Sequence, residues 1–312
     1  MRVLFMGTPD FALESFRALC ENFEVVGAVT QPDKPRGRGY ELTPSPIKRA
    51  ALERGVKVYQ PATLKDGAFA DELAETAPDL IAVVAYGKIL PEYVLNYPRL
   101  GCINLHGSLL PKYRGAAPMQ RAIIDGERVT GVTTMYMAKG LDTGDMLETA
   151  ELEIGENDNF EKIHDGLSSL GAGLLVSTIK KLDMGEITPI KQDDTLATYA
   201  AKIEKTDCEI DFADSAEKIH NLIRGLSPIP LAFTHNRGKL LKIISSTVCD
   251  REGVLGAPGE VLSTDGGRIR VACGQGSIYI DRVTPEGKRA MSVADYINGR
   301  QIAVGDILGV DR

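Results

Sequence analysis

The chain has 312 residues, 43% hydrophobic and 25% charged, enough for a full core and, at roughly 100–200 residues per domain, for two domains. Its 43 acidic residues outnumber its 36 basic ones, and the formal charge of −7 excludes a protein that coats nucleic acid or anionic membrane by bulk charge. No apolar run approaches the roughly 20 residues of a membrane span, and the opening ten residues are broken too soon for a signal peptide, so neither feature is expected.

The first half alternates short apolar runs with amphipathic stretches. A strand over 3–6 leads through Gly7-Thr8-Pro9-Asp10, with Thr8 as expected cap, into a helix over 10–20 whose apolar face is Phe11, Phe16 and Leu19. A strand over 25–30, a helix over 46–54 and a strand over 56–59 follow. A helix over 67–76 then leads to a strongly apolar strand over 80–85. A helix over 91–96 and a strand over 101–105 continue the alternation, which predicts an α/β, Rossmann-like, doubly wound and mostly parallel sheet. A helix over 117–125, strands near 131–137 and 145–154, and one long helix over 158–184 complete the first region.

Beyond residue 189 the pattern changes. The polar stretch 188–204 reads as a linker with a short helix, and 214–226 reads as a helix. Strands over 231–234, 239–248, 259–263, 268–273 and 277–283, separated by glycine-rich turns, predict a small OB-like β-barrel. Ser292 and Asp295 have the spacing of a capping box for a last helix. The expected domains are therefore 1–189, a linker 190–205, and 206–312.

The stretch Asn104-Leu105-His106-Gly107-Ser108 carries the clearest chemical signal. Residues two apart on a strand share a face, so Asn104 and His106 emerge together at a strand's carboxyl end, where open α/β sheets bind ligands. An amide beside an imidazole suits an oxyanion that develops during acyl transfer. The spacing alone leaves a second reading open, in which Asn104 caps a turn and His106 is a satisfied core histidine. Asp142, between glycines in Gly140-Leu141-Asp142-Thr143-Gly144, can orient His106 or move a proton through water, or it can simply form an Asx turn. The loop Lys34-Pro35-Arg36-Gly37-Arg38 can grip a phosphate backbone or be an ordinary solvated loop.

His164 and His220 read as surface or edge residues of amphipathic helices, and His235 as part of a polar turn. The scattered cysteines (Cys20, Cys102, Cys208, Cys249, Cys273) read as reduced thiols of a cytoplasmic protein, with no metal site expected. The first turn lacks the glycine fingerprint of a nicotinamide site.

Taken together, these motifs resemble the methionyl-tRNA formyltransferase family over nearly the whole chain. The likeness rests on Gly7-Thr8-Pro9-Asp10-Phe11, Thr30-Gln31-Pro32-Asp33, Tyr86-Gly87-Lys88-Ile89-Leu90-Pro91, the stretch 104–111, Arg114-Gly115-Ala116-Ala117-Pro118, Leu141-Asp142-Thr143-Gly144-Asp145 and Arg224-Gly225-Leu226-Ser227-Pro228. The resemblance implies 10-formyltetrahydrofolate as formyl donor and methionyl initiator tRNA as acceptor, with no metal. It implies Asn104, His106 and Asp142 as the catalytic trio. It also implies that Ser108, Leu109, Leu110 and Pro111 line the folate site, with the backbone of Tyr86, Gly87, Ile89 and Leu90 near the pteridine. A monomer with no membrane or DNA partner is expected. Lys112-Tyr113 departs from the Arg-Trp pair common in the family. The rivals are another folate-dependent formyltransferase or hydrolase sharing the trio, and a folate- or tRNA-binding protein without turnover.

Charge is unevenly spread. Residues 34–54 carry six bases against two acids, and 222–242 carry Arg224, Arg237, Lys239 and Lys242 with no acid. Two local basic strips are expected on an acidic body, with Lys34, Arg36, Arg38, Arg224, Arg237 and Lys239 as tRNA contacts.

Overall fold

The computed structural model describes residues 1–36 and 41–309. By packing, the chain forms two units that are discontinuous in sequence: Met1–Gly115, Gly131–Leu152 and His164–Tyr199 in the first; Ala116–Thr130, Glu153–Ile163 and Ala200 onward in the second. The expected contiguous domain 1–189 thus gives two segments to the second unit.

The first unit is built on a seven-stranded sheet: β1 (Arg2–Gly7), β2 (Glu24–Val29), β3 (Val58–Tyr59), β4 (Leu80–Val84), β5 (Cys102–His106), β6 (Val129–Tyr136) and β7 (Met146–Glu153), in the spatial order β7-β6-β5-β4-β1-β2-β3. β1, β2, β3, β4 and β5 are parallel, and β6 runs antiparallel to β5. β4 is buried at every position because helices cover a parallel sheet on both faces.

The chain moves from β1 outward to β2 and β3, then returns to β4 on the other side of β1. This reversal is the topological switch point of a doubly wound sheet, so a ligand crevice is expected outside the carboxyl ends of β1 and β4. There Gly7 passes so close to β4 that a Cβ would meet the Val84 carbonyl at 2.8 Å.

Helices α1 (Leu13–Asn22), α2 (Pro46–Glu53), α3 (Ala70–Thr76) and α4 (Glu92–Leu95) follow the sequence pattern within a few residues. The first differs in its start. A 3-10 turn, Asp10–Ala12, precedes α1, and Thr8 does not cap it. The Thr8 hydroxyl instead donates to the Tyr86 carbonyl at 3.4 Å and accepts from the Gln31 N–H at 3.3 Å, tying together the loops after β1, β2 and β4. α5 (Pro118–Ile124) and the 25-residue α6 (Phe160–Met184) come next, where their apolar periodicity predicts them.

In the second unit, α7 (Ala216–Gly225) is capped by Ser215, whose hydroxyl accepts from the Lys218 N–H. Its face of Ile219 and Ile223 packs into a core with Leu241, Ile243, Ile278 and Ile280. The antiparallel sheet is β8 (Ala232–Asn236), β9 (Lys239–Asp250), β10 (Val261–Ser263), β11 (Ile269–Ala272), β12 (Ser277–Pro285) and β13 (Met291–Ser292), in the order β8-β9-β12-β11-β10 with β13 on β12. Register shifts in β9 at Ile243/Ser245, Ser245/Ser246 and Val248/Asp250 bend this long strand, and the sheet curls into a half-barrel where the strand pattern predicts a small OB-like barrel. Ser292 caps α8 (Val293–Asn298), accepting from the Asp295 N–H as its spacing predicts.

Two histidine expectations are corrected. His235 lies in β8 rather than in the turn. His220 is a buried residue of α7, 5% exposed, because both ring nitrogens find partners within this unit. Nε2 donates to the Glu156 carbonyl at 3.0 Å, so Nδ1 accepts from Ser246 Oγ, also at 3.0 Å. Burial, reinforced by the Arg224 charge, holds its pKa below the ordinary imidazole value. The unfolded chain therefore binds this proton first. The stability contributed by neutral His220 is complete above about pH 6.5 and is lost as pH falls from there through the lowered folded-state value, by at most about 1.4 kcal/mol per pH unit. Melting temperatures measured from pH 7.5 to 5 should fall less steeply in His220→Gln than in the parent protein. An unchanged slope would refute the neutral, buried assignment.

Candidate active site

Asn104 and His106 stand on the same face of β5, next to the switch point, with Met135 and Thr133 of β6 as their cross-strand neighbours. His106 is 6% exposed, and its Nε2 donates to the Tyr113 carbonyl at 2.9 Å. A carbonyl only accepts, so this bond fixes the tautomer and leaves Nδ1 as the nitrogen that can take up a proton. Nδ1 faces Asp142 Oδ2 at 3.7 Å, too long for a direct hydrogen bond but within ion-pair reach. The same carboxylate oxygen accepts from the Gly115 N–H at 2.8 Å. Asn104 is half-buried, and its amide makes no hydrogen bond among the described residues. The three residues expected from the sequence are thus brought to one end of the sheet. They place an amide donor, a protonatable imidazole and a carboxylate where a tetrahedral oxyanion can form.

The loop after β5 is held by a residue to which sequence reasoning gave no role. Thr133 is fully buried. Its hydroxyl donates to the Ser108 carbonyl at 2.7 Å and accepts from the Leu110 N–H at 3.1 Å. The Ser108 hydroxyl donates to the Lys112 carbonyl at 2.7 Å, so this side chain shapes the turn and faces no ligand. Leu110 is buried, and Leu109 and Pro111 are half-buried.

On the β4 side, Tyr86 and Leu90 point into the core, whereas Gly87 is exposed and Ile89 is 88% exposed. Burial pushes the Tyr86 phenol up to about 12, so it keeps its proton and stays uncharged at neutral pH. Gln31 Nε2 donates to the carbonyls of Tyr86 and Gly87 at 2.9 and 3.3 Å. Gly87 needs its backbone freedom here, since φ is +78° and a Cβ would meet that amide at 2.8 Å. What this turn offers a planar ligand is exposed main chain and one apolar side chain.

The Asp142 loop has its own support. Asp142 adopts a left-handed φ of +51°. Gln192 Nε2 donates to the Asp142 and Gly144 carbonyls at 2.9 and 2.7 Å. Gln192 Oε1 in turn accepts from Arg114 Nε and Nη2 at 3.0 and 2.8 Å, and Arg114 also reaches Asp194 at 2.8 Å. Neither Arg114 nor Gln192 stands out in periodicity. The available signal was a lone arginine between Tyr113 and Gly115 in an otherwise weakly charged passage.

The expected basic contacts fare unequally. Lys34 and Lys239 are exposed. Arg237 is exposed but pairs through Nη2 with both oxygens of Asp306, at 2.8 and 3.1 Å. Arg38 lies outside the described residues, as does the side chain of Arg36. Arg224 is a correction. It is 7% exposed, and its guanidinium donates to Asn221 Oδ1 and to the carbonyls of Gly155 and Asp158. The two carbonyl bonds close the segment Glu153–Ile163 onto α7, so Arg224 is a structural ion of the second unit. Among the described residues no three His, Cys, Asp or Glu side chains converge as a metal site, and no helix is long and apolar enough to cross a membrane.

This fold and site suit a group transferase whose reaction passes through an oxyanion, and comparison with known proteins gives the family. Residues 1–179 match the family described as formyl transferase, and 202–301 match the formyl transferase C-terminal domain. The chain belongs to the formyl transferase family. Among its relatives, the methionyl-tRNA formyltransferase of Clostridium novyi is 49% identical over 309 residues, covering 99% of this chain and all of that protein. A solved N-formyltransferase from Helicobacter canadensis, in complex with folinic acid and dTDP-3-aminofucose, shares the fold at a TM-score of 0.68 and 21% identity. It covers 89% of this chain and 98% of that one. HypX from Aquifex aeolicus, solved with tetrahydrofolic acid, matches at a TM-score of 0.65 and 18% identity. Here 97% of this chain spans about half (48%) of the longer protein.

Proposed function

We propose that this chain transfers the formyl group of 10-formyltetrahydrofolate to the α-amine of methionyl initiator tRNA, giving N-formylmethionyl-tRNA and tetrahydrofolate. The observation that carries this reading is the 49% identity, end to end, with a curated methionyl-tRNA formyltransferase. The juxtaposition of Asn104, His106 and Asp142 at the carboxyl end of β5 supplies the chemistry.

In this reading the neutral amine attacks the formyl carbon, and the carbonyl oxygen becomes an oxyanion. The Asn104 amide and the protonated Nδ1 of His106 donate to it. The Tyr113 carbonyl keeps the ring oriented through Nε2. Asp142 balances the imidazolium and, through a water, relays the proton from the amine to N10 of the folate as the bond between N10 and the formyl carbon breaks. The donor's planar ring lies at the switch point, against the exposed main chain of Gly87 and the side chain of Ile89. Ser108 and Tyr86 shape its walls through their backbone. The replacement of an Arg-Trp pair by Lys112-Tyr113 leaves this scheme intact, since His106 uses the main chain of residue 113.

The tRNA contacts proposed are Lys34, Arg36 and Arg38 in the first unit and, separately, Lys239 and Arg237 in the second. Their phosphate contacts release counterions, so affinity falls with salt. Five free cysteines suit a reducing cytoplasm, where the chain is proposed to act as a monomer. The test offers formyl-labelled donor to the protein with charged initiator tRNA, with a dTDP-amino sugar, or with water alone. Label on methionyl-tRNA is expected. Label on the sugar amine, or release as formate without tRNA labelling, contradicts the reading.

A further inference from the structure

The polar stretch that reads as a linker makes two sets of contacts to the main chain beside the reacting side chains. On one side stands Gln192, 5% exposed in a run that is otherwise at the surface. The buried Arg114 grips its carbonyl oxygen with two N–H groups, which turns the amide nitrogen toward the carbonyls of Asp142 and Gly144. On the other side, Thr198 Oγ1 accepts from the Tyr113 N–H at 2.8 Å, and the Thr198 carbonyl accepts from the Arg114 N–H at 2.9 Å. Tyr113 is held in a left-handed φ of +60°, and its carbonyl is the one that fixes His106. Two unusual backbone conformations beside the site, at Tyr113 and Asp142, are thus each clamped from the same short segment.

We infer that residues 192–198 are a positioning strap for the transfer site, in which Gln192 sets the main chain that presents Asp142 and Thr198 sets the carbonyl that orients His106. Gln192 and Thr198 touch no reacting atom and act through these neighbours. The inference rests on the proposed roles of His106 and Asp142 in formyl transfer. A misplacement of about 1 Å in such a pair costs on the order of a hundredfold in rate.

Two variants test it. Gln192→Glu keeps the shape and the Arg114 contact but presents an oxygen, in place of the N–H donors, to two carbonyls. Thr198→Val removes one acceptor at the surface, and Thr198→Ser restores it. The expected result for Gln192→Glu is a kcat lowered about ten- to hundredfold, with KM for both substrates within about threefold of the parent. Thr198→Val should lose severalfold in kcat with an unchanged melting temperature, and Thr198→Ser should regain it. Imidazole nitrogen NMR gives a readout independent of turnover, since the chain has only four histidines. In Thr198→Val the His106 signal should depart from the fixed Nε2–H tautomer, and in Gln192→Glu the Nδ1 signal should shift as the Asp142 carboxylate that faces it is displaced. Parental kcat in both variants, or a kcat loss that only tracks melting with His106 signals unchanged, would overturn the strap. Should the parent chain itself fail to formylate tRNA, altered His106 signals would still uphold the clamping while the proposed function fell.

Discussion

Replacing Asn104 or His106 by alanine should lower kcat by a factor of about 10²–10³, the equivalent of about 3–4 kcal/mol of transition-state stabilisation. Both side chains sit at the end of β5 and, in the proposed reaction, face the space where the oxyanion would form. The amide of Asn104 makes no bond among the described residues, so in that reaction its donor capacity is available to the reacting oxygen. His106 contributes differently: its ring is already fixed by the Tyr113 carbonyl, and the loss falls on the protonatable Nδ1. Because these interactions strengthen only as the formyl oxygen acquires charge, KM for folate and tRNA should move far less than kcat. The double variant should cost less than the product of the two single losses, since both donors serve one oxygen. Steady-state kinetics with melting curves on the same preparations check this. Near-parental turnover in either folded single variant removes that residue from the reaction.

Gly144→Ala should be the most damaging single-methyl change near the site. An added Cβ would lie 1.7 Å from the Tyr136 carbonyl oxygen and 2.7 Å from its carbon. Both are backbone atoms of β6, so no side chain can rotate away. Either the strand or the loop must move. Overpacking of this kind typically costs about 1–3 kcal/mol, and a clash with main chain belongs at or above the top of that range. The Gly144 carbonyl is also one of the two that Gln192 holds, so displacement passes directly to Asp142. The expected result is a melting temperature lowered by several degrees and a kcat reduced at least tenfold in the protein that remains folded. An alanine variant that melts and turns over like the parent contradicts the close approach. This contact also gives a physical reason for glycine at the end of Leu-Asp-Thr-Gly.

The features legible in the sequence were those set by local rules. Alternation of apolar runs and amphipathic helices gave the parallel sheet, and with it the switch point beside β4. The two-residue spacing of Asn104 and His106 places both on one face of a strand whatever lies around them. Ser292 caps α8 because its partner, Asp295, is three residues away.

What escaped depends on partners far along the chain. Arg224 looks like a surface cation until the carbonyls of Gly155 and Asp158 are brought to it, and His220 looks exposed until Ser246 and the Glu156 carbonyl enclose it. Thr8, a natural helix cap, is drawn instead to Gln31 and Tyr86. Gln192 is one polar residue among many in 188–204, and its role is set by Arg114, 78 positions earlier. In each case a hydrogen-bonding side chain had a local option and took a distant one, which no periodicity records.

The account's central claim is that formyl transfer is an oxyanion reaction run by the β5 pair, and a single-turnover experiment tests it most directly. With enzyme in excess and both substrates saturating, formyl-labelled donor is mixed with methionyl initiator tRNA, and the label on tRNA is followed in time for the parent protein and for His106→Ala. The account predicts rapid labelling of tRNA by the parent and a transfer step slowed about 10²–10³-fold in the variant, with folate binding retained. Transfer at the parental rate in a folded His106→Ala protein would contradict it.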